Sequence, residues 1–241
     1  MSIIFVNASS QYLQIFGEAN TPDYNEAYTW MGWYYFTAPQ AANHTLFSIN
    51  NDDLSSEDRI RIDANENLRL YSEQVGVQDI NGITIFAGLT TGWHFVAMRR
   101  SGVGNADLEV QVNAEAWSGG TNDQPWDRNR NPEMNLGVDR GGVSYLEGKC
   151  WNHIFFERAL SDAEVTAFRL ENYGSVTNDP WAYWNYTADA LDGGAGSHDW
   201  TEFNTPTYES DPGGQVAWPG PDSSDQLRKP SFSVGVARIG L

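Results

Sequence analysis

The sequence predicts an all-β sandwich of two antiparallel sheets, with one short helix near residues 161–171 and an extended C-terminal arm. Three observations predict it. Several segments alternate apolar and polar residues with period two, as half-buried strands do: Ile60 and Ile62 against Arg59, Arg61 and Asp63, and Leu108, Val110 and Val112 against Glu109, Gln111 and Asn113. Gly and Asn/Asp clusters punctuate the chain at the spacing of turns, and no strand-helix-strand rhythm suggests a parallel sheet. Aromatics make up 13% of 241 residues and charged residues only 19%, a balance suited to sheets with many half-buried positions.

Three runs are apolar on both faces: Tyr28 to Phe36 (YTWMGWYYF), Trp93 to Met98 (WHFVAM) and Trp151 to Phe156 (WNHIFF). They are expected at the centre of stacked sheets, with about a dozen candidate strands before residue 160. Among the turn signals at residues 50–53, 81–82, 102–105, 119–120 and 141–142, Asn81-Gly82 is the strongest hairpin candidate. Leu160-Ser161-Asp162-Ala163-Glu164-Val165 carries a helix start, with Ser161 as N-cap, Glu164 completing a capping box and Leu160 and Val165 as a staple. The helix is expected to run to about Glu171, end near Gly174 and dock through Val165 and Phe168. An aromatic segment follows at Trp181 to Tyr186. From Asp211 the composition shifts to Pro, Gly and Ser, and Pro212, Pro219, Pro221 and Pro230 predict an extended arm ending in the β-prone stretch Ser231 to Leu241.

Thr91-Gly92-Trp93-His94-Phe95-Val96-Ala97, the strand Leu108 to Asn113, and Leu136-Gly137-Val138 followed by Arg158-Ala159-Leu160-Ser161-Asp162-Ala163-Glu164-Val165 together resemble the laminin-G-like, concanavalin A-like lectin and glucanase superfamily. The resemblance implies a jelly-roll sandwich over residues 1–211, with residues 212–241 as a separate arm. Asn113-Ala114 stands where such domains often have Asp-Gly, and Glu147 to Cys150 is polar where they are more often apolar.

Composition narrows function. Lys and Arg total 14 against 32 Asp and Glu, a formal charge of −18, which repels nucleic-acid phosphates and anionic membranes. The apolar start, Ile3 to Val6, is too short for a signal peptide or membrane span, and the lone Cys150 is expected to be buried in a strand. No Gly-x-Ser-x-Gly elbow or phosphate loop occurs, and His44, His94, His153 and His198 lack metal-ligand spacing.

The resemblance also implies candidate chemistry. Its glycoside hydrolases use Glu-x-Asp-x-x-Glu, because a retaining mechanism needs two carboxylates about 5 Å apart. Here Asp63-Ala64-Asn65-Glu66 matches the second half, but Arg61 stands where the first Glu would be, so no catalytic residue is assigned. Calcium would prefer loop acids, with Asp52, Asp53 and Asp139 first and Asp189 and Asp192 after them, although turn acids are usually just solvated. For a sugar, the loop from Trp117 to Arg130 offers aromatics beside polar groups, with Trp117, Asn122, Asp123, Trp126 and Arg128 as contacts; Trp117 could instead close its strand in the core.

The expectation drawn is a non-enzymatic structural, decoration or attachment protein of a virus particle, since stand-alone domains resembling this one occur on phages. Its partners would be other virion subunits or further copies of itself, engaged through Phe232, Val234, Val236 and Ile239 of the arm by strand addition. The alternative is a calcium-assisted carbohydrate-binding adhesion module at a virion surface or another extracellular site, and a divergent glycoside hydrolase or lyase comes third.

Overall fold

Period-two segments become strands throughout. The computed structural model describes residues 2–16, 27–38, 40, 42–51, 56–74, 77–102, 106–122, 132–172, 180–184, 186 and 198–209. Its strands are β1 (Ser2–Phe5), β2 (Tyr12–Phe16), β3 (Tyr28–Phe36), β4 (His44–Asn51), β5 (Glu57–Ile62), β6 (Leu68–Gln74), β7 (Val77–Phe86) and β8 (Gly92–Arg100). They continue as β9 (Ala106–Val112), β10 (Ser118–Asn122), β11 (Pro132–Leu136), β12 (Gly148–Phe156), β13 (Ala182–Trp184), β14 (Thr201–Phe203) and β15 (Thr207–Glu209), with helix α1 (Asp162–Arg169) after β12.

Two antiparallel sheets stack face to face. The eight-stranded sheet runs β10-β9-β8-β3-β12-β1-β15 with β13 also on β12, and the seven-stranded sheet runs β14-β2-β11-β4-β5-β6-β7. The three doubly apolar runs are β8, β3 and β12, adjacent at the centre of the larger sheet. Their inward residues, Trp30, Tyr34, Val96, Met98, Cys150 and Phe155, meet Leu13, Phe47, Ile49, Ile60 and Leu70 of the facing sheet in one core. No helix among the described residues is long and apolar enough to cross a membrane.

A buried ion pair ties the two layers. Arg100 of β8 donates to Asp58 of β5 at 3.1 Å, with 1% and 0% of the side chains exposed. Tyr28 also donates to Asp58 at 2.9 Å, Ser72 donates to its second oxygen, and Arg100 Nε donates to the Gly102 carbonyl. Buried charges persist only when paired and hydrogen-bonded in this way.

β12 contains a bulge. Its pairing with β3 shifts register between Trp151 and Ile154, and Asn152 takes up the extra residue at φ 51°. The shift turns His153 inward, among Trp30, Tyr34 and Tyr186, whose hydroxyl lies 3.1 Å from its Nδ1. Burial holds the His153 imidazole down at about 3 from an ordinary 6.5. The unfolded chain therefore binds a proton below pH 6.5 that the folded chain refuses, so stability is full above that pH and falls toward pH 3. Glu57, raised by burial, acts with the opposite sign below its own folded value. Comparison with His153→Gln isolates the histidine: in denaturant melts between pH 6 and 5, the stability gap between wild type and variant is expected to narrow by about 1.4 kcal/mol per pH unit.

Two local expectations are corrected. Helix α1 has the expected capping box, with Ser161 accepting from the Glu164 N–H, but it ends at Arg169 and not at Glu171. Glu171 itself takes the left-handed conformation (φ 59°), and Asn172 and Glu171 donate back to Ala167 and Phe168, closing the helix without Gly174. Asn81-Gly82 does not turn a hairpin. It lies within β7, where the register with β6 slips so that Tyr71 alone stands opposite both residues, and Gly82 supplies the positive φ, 65°, that this bulge needs. The arm at residues 212–241 lies outside the described residues.

Candidate functional site

The outer face of the seven-stranded sheet gathers the polar chemistry of the fold. Register fixes its layout. Asn135 pairs with Gln14 and with Ser48, Ser48 with Arg59, and Arg59 with Tyr71; in the next row Glu133 pairs with Asn50, Asn50 with Glu57, and Glu57 with Glu73. Arg61 pairs with Arg69 beyond them. Because residues directly opposite each other share a face, all of these side chains lie on the side away from the core.

Hydrogen bonds fix the middle of this floor. Asn50 and Gln14 donate to Glu133 at 2.8 and 3.2 Å, and Asn135 donates to Asn50 at 2.7 Å. The segment after β11 is tied down upon it: Ser48 donates to the Val138 carbonyl, Arg59 bridges Glu57 at 3.1 Å and Asp139 at 3.3 Å, and Arg140 bridges Glu73 at 2.6 Å. Burial raises the Glu57 carboxyl, against the pull of Arg59 and of the Arg140 N–H.

Half-buried aromatics stand at the β14 side. Tyr12 stacks on Phe203 with centroids 4.4 Å apart and meets Tyr145 at 6.1 Å. The Tyr12 phenol is raised by burial and then by Tyr145 and Glu133, so the rings and the carboxylate share one neighbourhood. An aromatic face that can pack on a sugar's C–H side, with polar groups beside it for the hydroxyls, is the arrangement that holds a sugar. Alternation marks Gln14, Glu133 and Asn135 as outward-facing, but only the pairing register shows that they meet.

Of the residues singled out in the sequence, Trp117 falls elsewhere and Asp139 lies on this face beside Arg59. Trp117 packs beside the cluster under α1, and the Arg99 guanidinium lies over its ring at 4.0 Å, held in turn by Glu109 and Asp162. The backbone of Asn122 ends β10; its side chain, with Asp123, Trp126 and Arg128, lies outside the described residues, as do Asp52, Asp53, Asp189 and Asp192. Phe232, Val234, Val236 and Ile239 are outside them too. At Asp139, one carboxylate oxygen accepts the Val143 and Ser144 N–H groups and the other pairs with Arg59. Among the described residues no three His, Cys, Asp or Glu side chains gather as metal ligands.

Asp63 and Glu66 build a turn. Asp63 accepts from the Asn65 and Asn67 N–H groups and pairs with Arg69 at 2.6 Å, bonds that together hold its carboxyl below the ordinary range in spite of partial burial. Glu66 sits at φ 58° and accepts from the Gln40 N–H through its side chain and from the Leu89 N–H through its carbonyl.

A family model described as the concanavalin A-like lectin/glucanases superfamily matches residues 7–166, most of the sandwich. The chain belongs to this superfamily. Among solved structures, this concanavalin A-like sandwich is similar to a heptameric SAP-like pentraxin from Limulus polyphemus, with 13% identity, a TM-score of 0.59, and coverage of 86% of this chain and 93% of that one. It is similar to the CBM40 of the Ruminococcus gnavus IT-sialidase, with 15% identity, a TM-score of 0.51, and coverage of 70% and 98%. Mouse laminin α1 LG4-5 gives 9% identity, a TM-score of 0.50 and coverage of 66%, and the chain spans 43% of that structure. At such identities the concanavalin A-like fold is what these structures share. No curated protein matches by sequence.

Proposed function

We propose that the protein is a non-catalytic glycan-binding module whose contact surface is the outer face of the seven-stranded sheet. The observation that carries this reading is the half-exposed trio of Tyr12, Tyr145 and Phe203 beside half-exposed Glu133, whose carboxylate the buried amides of Gln14 and Asn50 hold in place. Membership of a lectin and glucanase superfamily supports it, as does the likeness to a carbohydrate-binding module of a sialidase. Absence of catalysis is part of the proposal: Glu66 is engaged in a turn and Glu57 is clasped by two arginines. The particle-assembly reading rests on the arm, and no described residue favours it.

A glycan array tests the proposal. Wild type is expected to retain specific oligosaccharides, and Tyr12→Ala to lose at least about tenfold in affinity, the scale of one lost sugar–aromatic contact in a packed site. Trp117→Ala is expected to keep binding, because Trp117 supports Arg99 on the other sheet. The reverse result would move the contact surface to the 117–130 loop.

A further inference from the structure

Among the described residues, arginines on the outer face of the seven-stranded sheet are matched to acids, with one exception. Arg59 has Glu57 and Asp139, Arg69 has Asp63, and Arg140 has Glu73 and Glu57. Arg61 has no carboxylate partner among the described residues. Its guanidinium donates to the Tyr71 hydroxyl and lies over the Tyr71 ring at 4.5 Å, while its buried Nε meets no acceptor. In a chain with 32 acidic and 14 basic residues, an ion-pair partner for an arginine is easily supplied. Among the described residues none is, although Arg61 stands directly across from Arg69, and like charges at opposed positions repel.

The surroundings hold this guanidinium in place. Tyr71 lies so close over Gly82 that a Cβ there would stand 2.8 Å from its hydroxyl oxygen and 2.9 Å from its ring carbons. The β7 bulge puts that glycine opposite Tyr71, and Arg59 approaches the same ring at 4.8 Å. A guanidinium stacked on an aromatic ring keeps N–H groups at its edge, and that planar fork matches the two oxygens of a carboxylate or sulfate. Arg61 is itself half-exposed, so such an anion can reach it.

We infer that Arg61, positioned by Tyr71 over the Gly82 bulge, selects sugars bearing a carboxylate or a sulfate. The inference rests on the glycan-binding reading and names its ligand class. An acidic group would neutralise the Arg61 charge, since Asp63 already pairs with the facing Arg69.

The experiment is a paired binding measurement on the full chain. Uronate and sialylated oligosaccharides are compared with their methyl esters, and sulfated ones with their desulfated forms, at low and moderate salt. The acid of at least one pair is expected to bind at least about tenfold tighter than its neutral partner, with the advantage shrinking as salt rises. In R61Q, with melting unchanged, the two members of that pair should bind alike, and R61K should recover only part of the gap because it loses the fork. The uronate, sialyl and sulfate arms separate the carboxylate and sulfate sources. Equal binding of every pair by wild type would overturn the acidic-sugar inference and leave glycan binding intact, whereas no binding of any pair would overturn both. A preference that survives in both R61Q and R61K would place selection elsewhere and overturn the role of Arg61.

Discussion

Gly32→Ala is expected to lower the stability of this sandwich by a large margin. A Cβ at residue 32 would stand 1.7 Å from His153 Cδ2 and 2.4 Å from Nε2, well inside contact distance. The imidazole has little room to retreat, because Trp30 and Tyr34 lie with ring centroids 5.1 and 4.8 Å away and Tyr186 meets its Nδ1. Overpacking of this kind costs about 1–3 kcal/mol and sometimes more, and the lack of an escape path places this case at the upper end. Urea melts of Gly32→Ala should show the loss, and adding His153→Ala should return part of it, since the second change removes the ring that the methyl strikes. Equal stabilities for Gly32→Ala and wild type would mean that β3 and β12 do not pair in this register.

Asp58→Ala is the second large effect. It leaves the Arg100 guanidinium, 1% exposed, without its carboxylate in the middle of the core. Removing one member of a buried pair costs about 3–5 kcal/mol, because the stranded charge and not the lost attraction dominates. The double variant Asp58→Leu with Arg100→Met removes both charges, and it should recover most of that loss. A double variant as unstable as Asp58→Ala would instead show that the Tyr28 and Ser72 bonds to Asp58 carry the effect. Both predictions concern the packed interior between the sheets, on which the outer faces depend.

Local signals were the most legible part of the sequence. The start of α1 follows from a capping box and a staple within six residues, and the three doubly apolar runs announce the central strands because a strand covered on both faces has no reason to alternate. Its end was misplaced because Glu171 adopts the left-handed conformation that glycine usually supplies. Asn81-Gly82 misled for a related reason: a positive φ serves a bulge as well as a turn, and only the partner strand decides which. β14 and β15 are three residues each, too short for a period to show.

The candidate site was less legible, since alternation tells which way a residue points and not what stands beside it. Arg61 reads in the sequence as an obstacle to catalysis at a glucanase-like position. Pairing with Arg69 and stacking on Tyr71 make it a candidate binding residue. Trp117 drew attention as an aromatic at the start of a polar loop, but its ring lies against Arg99. Asp139 is an acid in a turn whose partners, the Val143 N–H and Arg59, only the structure shows.

Hydrogen–deuterium exchange of the full chain, with and without the tightest oligosaccharide from the array, tests the placement of the binding face most directly. Slowed exchange in β2, β11, β5, β6 and residues 137–146 is the predicted result. Protection gathered instead around residues 117–130 and α1, with the seven-stranded sheet unchanged, would contradict it.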